Sequence, residues 1–467
     1  VDDPLLLARW QFAVTTVYHF LFVPLTIGLA FTVAGFQTAW YRTGRDDYLR
    51  LTRFFGQLFL IIFALGIVTG IVQEFQFGMN WSTYSRFVGD IFGVPLAIEG
   101  LLAFFLESTF IGLWIFGWDR LSRGLHLATI WIAAIGTLLS AYFILAANAW
   151  MQYPVGYWLN EAAGRAELTD FVAVLTSPMA VVTFIHVIPA VFLTTGAFVA
   201  GVAMWRLLRR PDSDQGPFRA AAKVGSAIVV ISSVTLLITG DVQAKVMTAQ
   251  QPMKMAAAEA LWETAQPASF SIFTIGTLDG REEIFSIRIP YLLSFFATGD
   301  FHGRVEGMNQ LQAFYEARHG PGDWRPIVPL AYWTFRLMIG AGFLATIAAA
   351  WFLWSMRGGR LPGRFAVKAA ILLPFLPLAA NSFGWIFTET GRQPWVVYDL
   401  MTTADGVSPG VSAPMVALTL VGFTLIYGAL AAVALTLIVR RVQAGLPEAD
   451  ATGGLHGKPD PSAQLGY

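Results

Sequence analysis

The stretch AVTTVYHFLFVPLTIGLAFTVAGFQTA at 13–39 contains no Asp, Glu, Lys or Arg, and one histidine, His19. A helix needs about 20 mostly apolar residues to cross the hydrocarbon core of a bilayer, and this run is longer than that. Comparable runs lie near 54–73, 91–118, 125–147, 179–205, 223–241, 328–355, 366–390 and 413–439. Inside lipid no water can satisfy backbone N–H and C=O groups, so each run is expected to be helical. The expected fold is an all-α integral membrane protein, a bundle of about nine transmembrane helices.

Composition supports this and narrows the chemistry. Hydrophobic residues make up 56% of the chain, charged residues 13%, and the mean hydropathy is +0.59. A soluble domain carries about 25% charged residues, so lipid has to cover much of this surface. The formal net charge of +0 leaves no basic excess to neutralise phosphates, which argues against nucleic acid. With 0 cysteines, disulfides, zinc ribbons, iron–sulfur clusters, thiol nucleophiles and covalent c-type haem attachment are excluded. Any metal has to be held by His, Met, Asp or Glu. Asp2 and Asp3 stand where a signal peptide carries positive charge, and the apolar run beyond them is too long for an h-region, so the first run reads as a span.

Lysine and arginine alternate between connections. Arg42, Arg45, Arg50 and Arg53, then Arg120 and Arg123, then Arg206, Arg209, Arg210, Arg219 and Lys223, then Arg357, Arg360, Arg364 and Lys368, and finally Arg440 and Arg441 occupy one side. The short connections on the other side hold Arg86, Arg165 and Arg392. The positive-inside rule then puts the N-terminus outside and the C-terminus inside. The expected organisation is spans one to six over 1–241, an extracytoplasmic loop over 242–327, spans seven to nine over 328–441, and a disordered cytoplasmic tail over 442–467.

Ionisable residues inside spans are costly, so each is a functional candidate. Of the 6 histidines, His302, His319 and His456 fall in polar loop or tail, and His126 reads as an interfacial residue opening the fourth span. His19 and His186 differ: nothing forces a histidine into VYHFLFVPL or VVTFIHVIPA, and the two sit at matching depth. Either they make helix–helix hydrogen bonds or they ligate a metal or haem. Met338 in YWTFRLMIGAG would ordinarily be packing. Arg336, two residues earlier, needs an anion in the membrane, and haem propionates are one; a His/Met pair makes a low-spin haem suited to electron transfer. Glu99 and Glu107 share the third span, about 12 Å apart along a helix, and read as proton-relay stations or as an acid beside a cofactor. Glu389 and Arg392 in GWIFTETGRQPW are a simple i,i+3 ion pair or part of a fitted pocket.

Together these segments resemble subunit I of the cytochrome bd family of quinol oxidases, over nearly the whole chain. They are RWQFAVTTVYHFLFVPLTIGLA at 9–30, the Glu99/Glu107 span, SPMAVVTFIHVIPA at 177–190, QQPMKMAAAEALWET at 250–264, YWTFRLMIGAG at 332–342 and GWIFTETGRQPW at 384–395. The resemblance implies oxidation of membrane quinol coupled to reduction of dioxygen to water, without copper and without a pump. It implies that His186 and Met338 are axial ligands of a low-spin haem b, with Arg336 near its propionates. His19 and Glu389, and in one reading Glu99, would serve a high-spin haem b and haem d (a chlorin), with Trp385 between haems. Glu99 and Glu107 match the acids that lead protons to the dioxygen site. Lys254 and Glu259 match quinol-binding residues, and Arg392 and Trp395 match the second motif around the haem pocket. The implied partners are a second multi-span subunit (subunit II), one or two small single-helix subunits, dioxygen, and menaquinol or ubiquinol in a bacterial cytoplasmic membrane. The loop places the chain in the short-loop branch, with no disulfide to clamp it. Two rivals remain: a related oxidase with haem b in place of haem d, and an ion or proton transporter, which predicts an inverted repeat that the sequence does not display.

Overall fold

The computed structural model describes residues 3–210, 214–363 and 365–448. Asp2, Arg364, His456 and the tail over 449–467 lie outside the described residues. Among the described residues, nine helical runs are long and apolar enough to cross a bilayer: Pro4–Thr43, Asp46–Met79, Ser82–Phe116, Arg123–Gln152, Phe171–Arg209, Gln215–Gln250, Val328–Ser355, Phe365–Thr390 and Ala413–Ala444.

The helices outrun the apolar stretches that foretold them. The sixth span continues past 241 to Gln250, so the loop begins nine residues later than its composition suggests. Asp241 and Lys245 lie one turn apart there and pair with each other, which lets polar residues continue the helix. The ninth span runs to Ala444. Beyond it Leu446 is buried and the Pro447 carbonyl accepts a hydrogen bond from Arg50 Nε at 2.8 Å. The first residues of the expected tail, at Leu446 and Pro447, therefore touch the bundle.

Prolines shape the spans beside the candidate residues. A proline has no N–H to give and its ring opposes the carbonyl four residues back. The first span breaks at Leu21–Phe22, ahead of Pro24 and directly after His19. Pro189 lies inside the fifth span, one turn beyond His186. Pro95 precedes a π-helical turn at Glu99–Ala103. The fifth and sixth spans come closest at Gly196 and Gly225, where a Cβ on either would lie 2.7 Å from the other's carbonyl oxygen. Small residues permit this backbone approach, which substitutes for a hydrophobic drive that lipid cannot supply.

The segment between spans six and seven folds into the helix Pro252–Ala258, an antiparallel hairpin of Phe270–Gly276 with Glu283–Ile289, and the helices Leu292–Thr298 and Met308–His319. Its own apolar core joins Met255, Leu261, Met308 and Leu311 to Tyr332 and Phe387 of the spans. Trp262 Nε1 donates to the Gly280 carbonyl at 3.0 Å, and Trp324 stacks on Trp395 at 4.9 Å. The loop is thus held by burial and ring contacts.

Candidate functional site

His19 and His186 are held by the same device. His19 Nδ1 lies 2.9 Å from Thr69 Oγ1, and His186 Nδ1 lies 3.0 Å from Thr239 Oγ1. Each threonine hydroxyl already donates to its own helix, Thr69 to the Leu65 carbonyl and Thr239 to the Thr235 carbonyl. A hydroxyl has one proton to give, so while it stays on the helix carbonyl the imidazole donates from Nδ1. That tautomer leaves a lone pair on Nε2, the state in which histidine binds a metal. The next residue in each case is glycine. A Cβ at Gly70 would sit 3.2 Å from His19 Cε1, and one at Gly240 would sit 3.4 Å from His186 Cε1, so each ring lies flat against a neighbouring backbone.

His126 is built in the opposite way. It is buried, with Nδ1 2.8 Å from Gln37 Nε2 and Nε2 2.8 Å from the Trp114 carbonyl, while Trp114 Nε1 donates to Gln37 Oε1. Both ring nitrogens are used, and the residue is a structural link inside the bundle rather than the interfacial group its position suggested.

The remaining candidates gather where the loop segment meets the spans. Arg336 donates to Glu259 Oε2 at 2.8 Å, its guanidinium lying over the rings of Phe270, Tyr332 and Phe335. Glu259 also accepts the Ser271 N–H. Burial pushes the Glu259 carboxyl up and Arg336 draws it back. Lys254 is buried, donating to Gln152 Oε1 at 3.1 Å and to the Thr388 carbonyl at 2.9 Å. Burial, then the neighbouring Arg392, lower its pKa to about 7, with Glu389 opposing. Glu389 is both an ion pair and part of a fitted pocket: it binds Arg392 and accepts from Asn148 Nδ2 at 2.8 Å. Met338 Sδ packs so closely on Gly384 that a Cβ there would lie 2.8 Å away. Trp385 stacks on Phe20, the neighbour of His19, at 5.0 Å.

This environment fits haem. Arg336 Nε and Nη1, Arg392 Nη1 and Trp385 Nε1 are buried without a hydrogen-bond partner among the described residues. Three buried cations, Lys254, Arg336 and Arg392, face two carboxylates, Glu259 and Glu389, so anionic propionates would be accommodated. Among the described residues no three His, Asp or Glu side chains gather as they would around a bare metal ion. Single, separated ligands suit iron whose other positions a macrocycle fills.

Glu99 and Glu107 both face the fourth span. Glu99 Oε1 accepts from Ser140 Oγ at 2.6 Å, and a Cβ on Gly136 would lie 3.0 Å from Glu107 Cγ. Ser140 and Gly136 are one turn apart. The π turn explains the alignment: eight α-helical steps would swing the acids about 80° apart, and the residue a π turn absorbs removes most of that angle. Glu107 is buried and its Oε1 has no partner among the described residues.

Sequence reasoning missed Thr69, Thr239, Asn148, Gln152 and Ser140. A signal existed for the first two: both threonines begin T-G-x-V-Q, at 69–73 and 239–243.

The family described as "Cytochrome bd terminal oxidase subunit I" matches residues 7–446. The chain is 46% identical to "Cytochrome bd ubiquinol oxidase subunit 1" of Bacillus subtilis (strain 168), over 94% of this chain and 94% of that protein. It is 37% identical to "Cytochrome bd-II ubiquinol oxidase subunit 1" of Escherichia coli (strain K12), over 86% and 89%. Among solved structures it is similar to the bd oxidase from Geobacillus thermodenitrificans, with a TM-score of 0.86 and 28% identity, covering 95% of this chain and 99% of that one.

Proposed function

This chain belongs to the cytochrome bd terminal oxidase subunit I family, and we propose that it oxidises quinol at the outer membrane face and reduces dioxygen to water with cytoplasmic protons. It is a multi-pass membrane subunit of a quinol:oxygen oxidoreductase. One observation carries the cofactor assignment. Two intramembrane histidines each set Nδ1 against a threonine hydroxyl, which supports a reading in which Nε2 is the ligand atom.

In this reading His186 and Met338 hold a low-spin haem b, and His19, Glu99 and Glu389 serve a high-spin haem b and haem d. Bound haem supplies one-electron storage and a place for dioxygen. Arg336 and Arg392 have buried N–H groups that would hold propionates, and Glu389, which bonds to Arg392 and Asn148, would serve as a haem ligand. Glu107 and then Glu99 carry protons from the cytoplasmic side towards the dioxygen site, along the stripe formed by Gly136 and Ser140. Because quinol protons leave on one side and dioxygen takes protons from the other, charge separates without a pump. Quinol approaches through the cleft lined by Gln251, Lys254, Tyr315, Arg392, Trp395 and Tyr398, and Lys254 and Glu259 bind it. Relatives are named for ubiquinol and for menaquinol, and either head group suits this chemistry. The partner is a second multi-span subunit, joined by one or two small single-helix subunits, in a bacterial cytoplasmic membrane.

The test is a reduced-minus-oxidised visible spectrum of the purified complex, repeated with carbon monoxide. A b-type band with a far-red chlorin band that shifts on carbon monoxide is expected. Haem b bands alone would replace haem d by haem b, and no haem absorbance would overturn the reading.

A further inference from the structure

One end of the quinol cleft opens onto a cluster the cofactors do not use. The helix Met308–His319 lies against the turn 395–402 that follows Arg392. Tyr315 and Tyr398 share a hydroxyl–hydroxyl hydrogen bond. One turn on from Tyr315, His319 Nε2 lies 2.7 Å from Asp399 Oδ1, and Arg318 pairs with the other carboxylate oxygen. The His319 ring lies 4.9 Å from Trp395 and 5.2 Å from Trp324, which line the same cleft. Tyr315 and Tyr398 line it as well. The side chains of His319 and Asp399 are 19% and 25% exposed, so the cluster runs from a buried cleft to solvent.

We propose that this cluster is the exit for protons released by quinol oxidation, with the Tyr315–Tyr398 hydroxyls as its inner station and the His319–Asp399 pair as its outer one. The inference rests on quinol oxidation at this cleft. Each quinol oxidised to quinone gives up two electrons, which pass to the haem, and two protons. A proton entering the tyrosine pair forms one O–H bond as the next breaks, and the displaced proton moves to Asp399 or His319 and then to water. The residues end unchanged. Hydroxyls suit this role because each both donates and accepts, and burial pushes both tyrosines up, so neither ionises on its own. A carboxylate–imidazole pair that reaches solvent suits the exit because each member can accept a proton and pass it on. The charged and titratable groups facing the route are Arg318 and Tyr157 around Asp399, Glu306 near Tyr315, and Lys254 and Arg392 at the inner end. The Lys254 and Arg392 cations discourage a proton from turning inward.

The experiment compares two reductants on the intact oxidase complex: a quinol, and a phenylenediamine that gives up one electron and no proton. His319→Gln and Tyr398→Phe should each slow quinol-driven oxygen uptake about tenfold or more, the scale of a lost proton-transfer group. His319→Gln should leave phenylenediamine-driven uptake unchanged. Asp399→Asn should slow quinol turnover and Asp399→Glu should restore it. Equal slowing with both reductants would reduce the cluster to a structural clamp, and unchanged quinol kinetics in Tyr398→Phe would move the exit elsewhere. A wild-type complex active with the phenylenediamine but inert to quinol would sink the functional reading itself rather than this route alone.

Discussion

Arg336 sets one guanidinium nitrogen 2.8 Å from Glu259 and leaves Nε and Nη1 buried with no hydrogen-bond partner among the described residues. The pair bridges the seventh span and the loop segment, so it ties the quinol side of the site to the helix that carries Met338. Breaking one partner of a buried pair costs about 3–5 kcal/mol, so Arg336→Met should lower the melting temperature sharply, and adding Glu259→Gln should recover much of the loss. The pH sign follows from Glu259. Its folded carboxyl is raised, so the folded state holds that proton more tightly than the unfolded chain. Stability from this group falls as pH rises through the window between the two values. Without Arg336 the window widens, and the variant should be rescued by acid more than the wild type. Equal acid responses in thermal melts would refute the coupling.

His186→Ala or Met338→Leu should abolish the low-spin haem signal while leaving the dioxygen-site haems partly bound. Visible and paramagnetic resonance spectra of the purified variants decide this. A surviving low-spin signal in either variant moves the ligand elsewhere.

Thr239→Val and Thr69→Val keep the side-chain shape and remove the oxygen that fixes each tautomer. Groups that orient a metal-binding histidine typically contribute about 10–100-fold to affinity or activity. Thr239→Val should therefore shift the low-spin haem potential or lower its occupancy, and Thr69→Val should act on the high-spin bands. Normal spectra and potentials in both would show that the rings are positioned by packing alone.

Glu107→Leu should slow turnover with haem content normal. Gly136→Ala is a gentler probe, because the new Cβ would meet Glu107 Cγ at 3.0 Å and push the acid off its stripe without changing charge. Oxygen uptake in both variants, measured against haem content, checks the relay; full turnover in Glu107→Leu dismisses it.

Lys254→Met should raise the apparent KM for quinol and change the pH response of stability. In the fold the Lys254 pKa is about 7, against 10.5 for the free side chain. Between those values the unfolded chain carries a proton that the folded chain lacks, so stability rises with pH across that window. Methionine removes this slope. Melting temperatures taken across the window should show a rising component in the wild type that is missing from the variant.

The apolar runs around His19 and His186 were legible because hydropathy is a property of contiguous sequence, and a bilayer reads it directly. The same local contrast exposed Arg336, Glu99 and Glu107, since charge is conspicuous where nothing solvates it. The segment GWIFTETGRQPW offered an ion pair or a fitted pocket for Glu389 and Arg392, without revealing that both hold or that Asn148 completes them. The π turn that brings Glu99 and Glu107 onto one stripe was not legible, because it follows from how the third span packs beside Pro95 and the fourth span.

What sequence alone determined, then, was which segments enter the membrane and which of their residues have no business there. Tertiary structure decided what those residues touch. It separated His126, with both nitrogens occupied, from His19 and His186, each tuned by a threonine about 50 residues away in sequence. It buried Lys254 and Glu259 although they lie in a loop, and it joined His319 to Asp399 across 80 residues. Hydrogen-bond partners and burial belong to pairs of residues that only the packed chain brings together, so no reading of either residue alone contains them.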